Sequence, residues 1–323
     1  MDYIFIIAGF VLLIKWADYM VDWASSLAKN FWISNLVIWL TIVAFWTSAP
    51  ELVASMTSAF SWNADLAISN VIWSNISNLL LILWITAMVY PIKTPKNTFY
   101  KEIPFMMAAT ILFVLLVVFE PNQEITRPDA WILIMFFSIF LYYIFRQATK
   151  PKKNFLWLEK KDKSEENVKN LSKLKAIIYT IWGLVWLIIW WKLIVDWAVS
   201  IAQTYWIPNS FIGVTIIAIW TSLPELASSL IAAFKKNTDM AIGWIIGSNI
   251  FNSLWILWAT WTIIPLKAYS WVEIDAYFNI FVVLLIFFLL ILSWKNKLTI
   301  WRKWWFLLLL LYFSYIWYLI ITL

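Results

Sequence analysis

Apolar runs of near-twenty residues, separated by short polar stretches, recur along the whole chain. Each is long enough to cross the roughly 30 Å hydrocarbon core of a bilayer as a helix. The pattern predicts ten such helices, near 3–27, 33–59, 66–90, 102–119, 129–147, 175–200, 208–234, 240–264, 272–293 and 301–321. The first run starts at Ile4, with no short charged leader or small-residue cleavage site ahead of it. One long polar stretch, about Lys150 to Lys175, falls between the fifth and sixth runs. It carries Lys152, Lys153, Lys160, Lys161, Lys163, Lys169 and Lys173 beside Glu165 and Glu166, and reads as a solvated linker. The predicted organisation is five helices in 1–149, a basic linker at 150–174, and five helices in 175–323.

The two blocks of helices repeat one another. TIVAFWTSAPELVASMTSAFSWNADLAISNVIWSNISNLLLILW, from Thr41, matches TIIAIWTSLPELASSLIAAFKKNTDMAIGWIIGSNIFNSLWILW, from Thr215, without a gap. Glu51 and Glu225 lie 174 positions apart, and the same offset aligns Gly9 with Gly183, Asp22 with Asp196 and Pro91 with Pro265. Five spans is an odd number, so the second block must enter the membrane from the opposite side. The sequence therefore predicts an all-α polytopic membrane protein of ten transmembrane helices, arranged as two inverted five-helix repeats in the manner of many secondary transporters.

Composition narrows the chemistry. Hydrophobic residues make up 63% and charged residues 13% of the 323, and the mean hydropathy is +0.80, which excludes an ordinary soluble domain. The net charge of +6 arises in loops between apolar runs, so a bilayer rather than nucleic acid is its partner. Alternate loops hold Lys29; then Lys93, Lys96 and Lys101; then the linker; then Lys235 and Lys236; then Lys295, Lys297, Arg302 and Lys303. The opposite set holds only Arg127 and Lys267. This bias predicts a plasma (inner) membrane protein with both termini outside and the linker in the cytoplasm. Cysteine and histidine are both absent, which removes disulfides, thiolate metal sites and imidazole chemistry. Ser48 and Ser222 have no histidine or lysine partner to activate them as nucleophiles, so the chain reads as a non-enzyme without a cofactor. Any metal it handles must be a hard cation on oxygen ligands.

Each half carries Thr-Ser-X-Pro-Glu inside an apolar run: Thr47, Ser48, Pro50 and Glu51, then Thr221, Ser222, Pro224 and Glu225. A proline cannot donate to the helix ladder and crowds the preceding turn. The break is expected to free carbonyls around Ala44–Thr47 and Ala218–Thr221, which lipid tolerates only where they face protein, water or an ion. Glutamates at such depth mark function, because burying an acid in a bilayer costs several kcal/mol, at least about 2.5. The next span of each half offers Ser74 and Asn78, then Ser248 and Asn252, each pair one turn apart on one helix face. Their oxygens are candidate neutral ligands, whereas Asn75 and Asn249 are expected to orient or pack. Two carboxylates would balance one Ca²⁺, with neutral oxygens completing its about six to eight ligands. Na⁺ ions would compete for the same carboxylates. Lys15 and Lys192 have no equivalent partners, and Asp22 and Asp196 lie near span ends, so snorkelling, capping or topology roles are expected of them.

AFWTSAPEL and AIWTSLPEL, with the SNISN and GSNIFN that follow, resemble the alpha-repeats of the sodium/calcium exchanger family within the calcium/cation antiporters. The resemblance covers nearly the whole chain. It implies a cation site made by the side chains of Thr47, Ser48, Glu51, Ser74, Asn78, Thr221, Ser222, Glu225, Ser248 and Asn252, with the carbonyls of Ala44 and Ala218. It also implies a secondary active antiporter that exchanges Na⁺ for Ca²⁺ by alternating access at a midplane two-glutamate site. An H⁺- or K⁺-coupled Ca²⁺/cation antiporter is the alternative, with a cation channel behind it. The proton-coupled branch has Gly-Asn-X-X-Glu in place of Thr-Ser-X-Pro-Glu, which favours Na⁺. Asn rather than Asp at 78 and 252 departs from some members and leaves ion stoichiometry open.

Tryptophan is the other departure. The chain has 27 Trp and 5 Gly, against a usual glycine content of about 7%. Family motifs have glycine where this chain has Trp46, Trp73, Trp84, Trp220 and Trp258, and within the repeat Trp39 aligns with Gly213 and Trp73 with Gly247. Close helix packing in membranes favours small residues. The expectation is that UGA codons meaning glycine stand here as tryptophan, and that genuine indoles at 46 and 220 would obstruct the site.

Overall fold

The computed structural model describes residues 2–31, 33, 35–60, 64–119, 123–149, 171–205, 221–269, 271–293, 298–300 and 304–322. Among them, eight helices are long and apolar enough to cross a bilayer: Tyr3–Phe31, Leu36–Phe60, Asp65–Val89, Thr98–Val118, Arg127–Ala148, Lys173–Ile201, Thr238–Trp261 and Val272–Leu292. They fall on eight of the ten expected spans. Two shorter apolar helices, Leu223–Phe234 and Phe306–Leu319, fall on the other two. The first part of the seventh expected span, and most of the linker, lie outside the described residues.

Burial sorts the helices. The helices Asp65–Val89 and Thr238–Trp261, which carry the Ser-Asn motifs, are the most enclosed, with 78% and 94% of their most apolar windows buried. The helices Tyr3–Phe31 and Lys173–Ile201 are the least enclosed, at 28% each, as expected of helices whose other faces meet lipid. These two cross closely. A Cβ at Gly9 would stand 2.7 Å from Ile194, and one at Gly183 2.9 Å from Met20. The repeat offset of 174 carries Gly9 onto Gly183 and Met20 onto Ile194, so one contact is the other seen from the opposite half and the crossing is two-fold in character.

Four short strands, unanticipated from hydropathy, also link the halves. β1 (Ile92–Lys93) pairs antiparallel with β4 (Thr299–Ile300), and β2 (Glu124–Ile125) with β3 (Leu266–Lys267). Each ribbon takes one strand from each half. Gln123 and Leu298 both adopt φ of 53°, and their carbonyls accept from the Ala268 and Thr94 amides at 2.8 and 3.0 Å. Two-residue strands are too short for alternation to reveal. Gln123 and Leu298 are 175 positions apart, so the second half has gained one residue by this point.

The sequence places a helix break at each proline, and the structure locates it at the preceding serine. Ser48 has φ −81°, ψ 8° between the helices Ala44–Thr47 and Ala49–Phe60. Ser222 has φ −84°, ψ 7° at the start of Leu223–Phe234. Beyond each break the following span widens into a π-helical turn, at Asn78–Ile82 and at Phe251–Ile256. Such turns concentrate at functional positions in helices.

Candidate cation site

The two breaks meet across the halves. The Ser48 hydroxyl donates to Glu225 Oε1 at 3.3 Å, and the Ser222 hydroxyl donates to Glu51 Oε1 at 3.5 Å. Because residues 48 and 222, and 51 and 225, are repeat equivalents, one contact is the other seen from the opposite half. Ser248 donates to Glu225 Oε1 at 3.4 Å, and the hydroxyls of Ser74 and Thr221 lie 3.5 Å apart. Thr47 Oγ1 bonds back to the Val43 carbonyl at 3.1 Å. Every expected side-chain ligand is buried: Glu51 is 0% exposed, Glu225 1%, and Thr47, Ser48, Ser74, Asn78, Thr221, Ser222, Ser248 and Asn252 are enclosed with them.

What these groups lack is as informative as what they hold. Glu51 Oε2, Glu225 Oε2, and both amide atoms of Asn78 and of Asn252 are buried without a hydrogen-bond partner. Buried polar atoms are ordinarily paired, and each orphan costs about 1–3 kcal/mol. Among the described residues, no lysine or arginine forms an ion pair with either glutamate; Lys235 pairs instead with Asp18 and Asp22. No cluster of three or more His, Cys, Asp or Glu forms among those residues. Two acids and a shell of neutral oxygens suit a hard cation that comes and goes.

Two expectations are corrected. The Ala44 carbonyl is not freed by the proline: it accepts from the Ser48 amide at 3.0 Å and from the Thr47 hydroxyl at 3.3 Å. The amide missing at Pro50 is the one that would have reached Trp46, four residues earlier. Ala218 and Trp220 lie outside the described residues. Trp46 does not fill the site in this structure. Its ring lies edge-on against Phe45 and is 37% exposed, because about 100° of helical turn per residue carries position 46 away from the buried faces of Thr47 and Ser48.

Other residues were not anticipated. Asn70 donates to the Glu51 carbonyl at 3.1 Å and to Ser55 Oγ at 3.0 Å, tying the glutamate helix to the next span. Continuing the Ser74–Asn78 face one turn back would have found it. Its equivalent, Trp244, donates its indole N–H to Thr47 Oγ1 at 2.7 Å. Asn75 donates to Ser253 Oγ at 2.8 Å and Asn249 to the Ile245 carbonyl at 2.8 Å, in keeping with orienting roles. Two further acids are buried in the spans. Glu102 accepts from the Tyr143 hydroxyl, and Asp275 accepts from Tyr269 at 2.5 Å and Trp73 at 3.2 Å. Burial and the adjacent Asp275 carboxyl hold the Tyr269 phenol far above its ordinary pKa, so it stays a donor.

The chain is similar to known proteins along nearly all of its length. The family model described as sodium/calcium exchanger protein matches residues 1–146 and 175–321. A putative antiporter, CaxA, of Alkalimonas amylolytica is 40% identical over 79% of this chain and 78% of its own. The sodium/calcium exchanger MaX1 of Methanosarcina acetivorans is 27% identical over 92% and 93%. A solved structure of the sodium-calcium exchanger NCX_Mj, soaked with Na⁺ and Sr²⁺, superposes with a TM-score of 0.81 at 27% identity, covering 98% of this chain and 97% of that one. Fold, reciprocal site and relatives agree: the chain belongs to the sodium/calcium exchanger family, integral multi-pass membrane proteins that transport cations by antiport.

Proposed function

We propose that this chain exchanges Na⁺ for Ca²⁺ by alternating access to one site shared by Glu51 and Glu225. The observation that carries the reading is the pair of buried glutamates, each with an unpartnered carboxylate oxygen, joined across the halves by reciprocal serine–glutamate bonds, with Asn78 and Asn252 likewise buried and unpartnered. Ca²⁺ takes about six to eight oxygens at roughly 2.3–2.6 Å and needs two charges balanced. The two glutamates supply the charge. Thr47, Ser48, Ser74, Asn78 and their equivalents Thr221, Ser222, Ser248 and Asn252 supply neutral oxygens, and Ala44 and Ala218 supply carbonyls, that of Ala44 already bonded within its helix. Na⁺ competes for the same oxygens, so the two ions bind in alternate turns. Each half can adopt the conformation of the other, which opens the site to one side and then the other. The names of MaX1 and NCX_Mj support Na⁺ as the driving ion.

The test is ⁴⁵Ca²⁺ uptake into Na⁺-loaded proteoliposomes. It is run on the chain as written and on a version with glycine at Trp39, Trp46, Trp73, Trp84, Trp220 and Trp258. An outward Na⁺ gradient is expected to drive uptake that Glu51→Gln and Glu225→Gln abolish. Unchanged uptake in both variants would refute the site, and uptake driven equally by K⁺ or H⁺ gradients would refute Na⁺ coupling. The same reading divides the chain into 1–149 and 175–323 around a cytoplasmic linker at 150–174, in the plasma membrane with both termini outside. As the chain has no cysteine, a Lys160→Cys variant should react with impermeant maleimide only in inside-out vesicles; labelling in intact cells would reverse the topology.

A further inference from the structure

Several buried tryptophans are poorly accommodated. The indole N–H is donor-only, and buried tryptophans ordinarily find it an acceptor. Trp39, Trp84, Trp190 and Trp255 each bury that nitrogen with none. Trp39 is 0% exposed, its ring pressed 4.9 Å from that of Trp244.

The repeat gives an independent observation. Gly247 sits where a Cβ would stand 2.8 Å from the Ala44 Cβ and 3.0 Å from the Leu40 carbonyl oxygen, so this crossing beside the site closes only because position 247 has no side chain. The equivalent residue in the other half is Trp73, and the equivalent of Trp39 is Gly213. The largest side chain thus stands opposite the smallest at positions the pseudo-symmetry treats alike. Five more equivalent pairs are tryptophan in both halves: 16 and 190, 23 and 197, 32 and 206, 46 and 220, 84 and 258. Two of these, 84 and 190, are among the positions with an orphaned indole N–H.

One kind of substitution, tryptophan for glycine, accounts for these orphaned indole nitrogens and for the mismatches at 39/213 and 73/247. UGA differs by one base from the tryptophan codon UGG and by one base from the glycine codon GGA. We propose that Trp39, Trp73, Trp84 with its equivalent Trp258, Trp190 with its equivalent Trp16, and Trp255 are glycine in the functional protein, inserted at UGA codons by a glycine-charged tRNA whose anticodon pairs with UGA. Glycine at these positions removes each orphaned donor and restores equivalence at 39/213 and 73/247. The inference concerns residue identity and stands apart from which ions are exchanged.

The test is to read the codons of the gene and to sequence peptides of the protein, purified from its own cells, by mass spectrometry. TGA at codons 39 and 73, with glycine in the corresponding peptides, is the expected result. TGG at either codon, or tryptophan in either peptide, would overturn the proposal whatever the transport assay shows.

Discussion

Glu51 and Glu225 are held by hydroxyls rather than by basic side chains. Ser222 reaches the first, and Ser48 and Ser248 reach the second. That leaves two enclosed carboxyls whose charge a mobile cation can balance, and it explains why an acid at such depth is tolerated. Replacing either glutamate by glutamine keeps the shape and removes half of the compensating charge. Each variant is expected to weaken Ca²⁺ binding by at least about tenfold, or about 1.4 kcal/mol, measured by equilibrium ⁴⁵Ca²⁺ binding. Asn70 acts one step away, fixing the Glu51 backbone and Ser55. Asn70→Ala is expected to lower stability by about 1 kcal/mol, the net value of a buried hydrogen bond, read as a fall in melting temperature. It should also slow uptake without abolishing it. An unchanged melting temperature would remove Asn70 from the account.

At the scale of elements, the breaks and π-helical turns shape the site. Pro50 and Pro224 follow serines whose ψ has swung to 8° and 7°, and Asn78 and Asn252 lie in the widened turns of the next spans. Each proline therefore stands in the first turn of the helix that begins after its serine, where a missing amide is tolerated, so the break turns a costly interior proline into an acceptable one. Pro50→Ala restores an amide opposite the Trp46 carbonyl and is expected to slow Na⁺-driven uptake while leaving the helical circular dichroism intact; wild-type rates would contradict a role for the break. Much of this layer was legible in the sequence. Membrane-length apolar runs fixed the eight long helices, and the Thr-Ser-X-Pro-Glu pair marked both breaks. The strands at 92–93, 124–125, 266–267 and 299–300 were not legible, since two residues carry no periodicity. Asp275 and Glu102 were passed over because single acids close to span ends resemble interfacial charges, and only packing shows them enclosed. The Ala44 carbonyl was misjudged because a proline orphans the carbonyl four residues back, not six.

Across the whole molecule, the halves are joined by contacts that come in equivalent pairs: the hydroxyl–carboxylate bonds, the two mixed strand ribbons, and the crossing of the first and sixth helices at Gly9 and Gly183. Under the proposed mechanism, exchanging the conformations of the halves would offer the site to either side of the membrane. Not every tie is symmetric. Lys235 bonds Asp18 at 2.7 Å and also Asp22, linking the first helix to the helix Leu223–Phe234. These side chains are 30–43% exposed, so Lys235→Met is expected to cost no more than about 1 kcal/mol, and less at high salt, by thermal unfolding at two ionic strengths. The central claim is that both glutamates serve one site for which Na⁺ and Ca²⁺ compete. Equilibrium ⁴⁵Ca²⁺ binding to the purified chain, titrated with Na⁺, tests it most directly. The account predicts Ca²⁺ binding that Na⁺ displaces and that either Glu51→Gln or Glu225→Gln removes. Binding indifferent to Na⁺, or preserved when both glutamates are replaced, would contradict it.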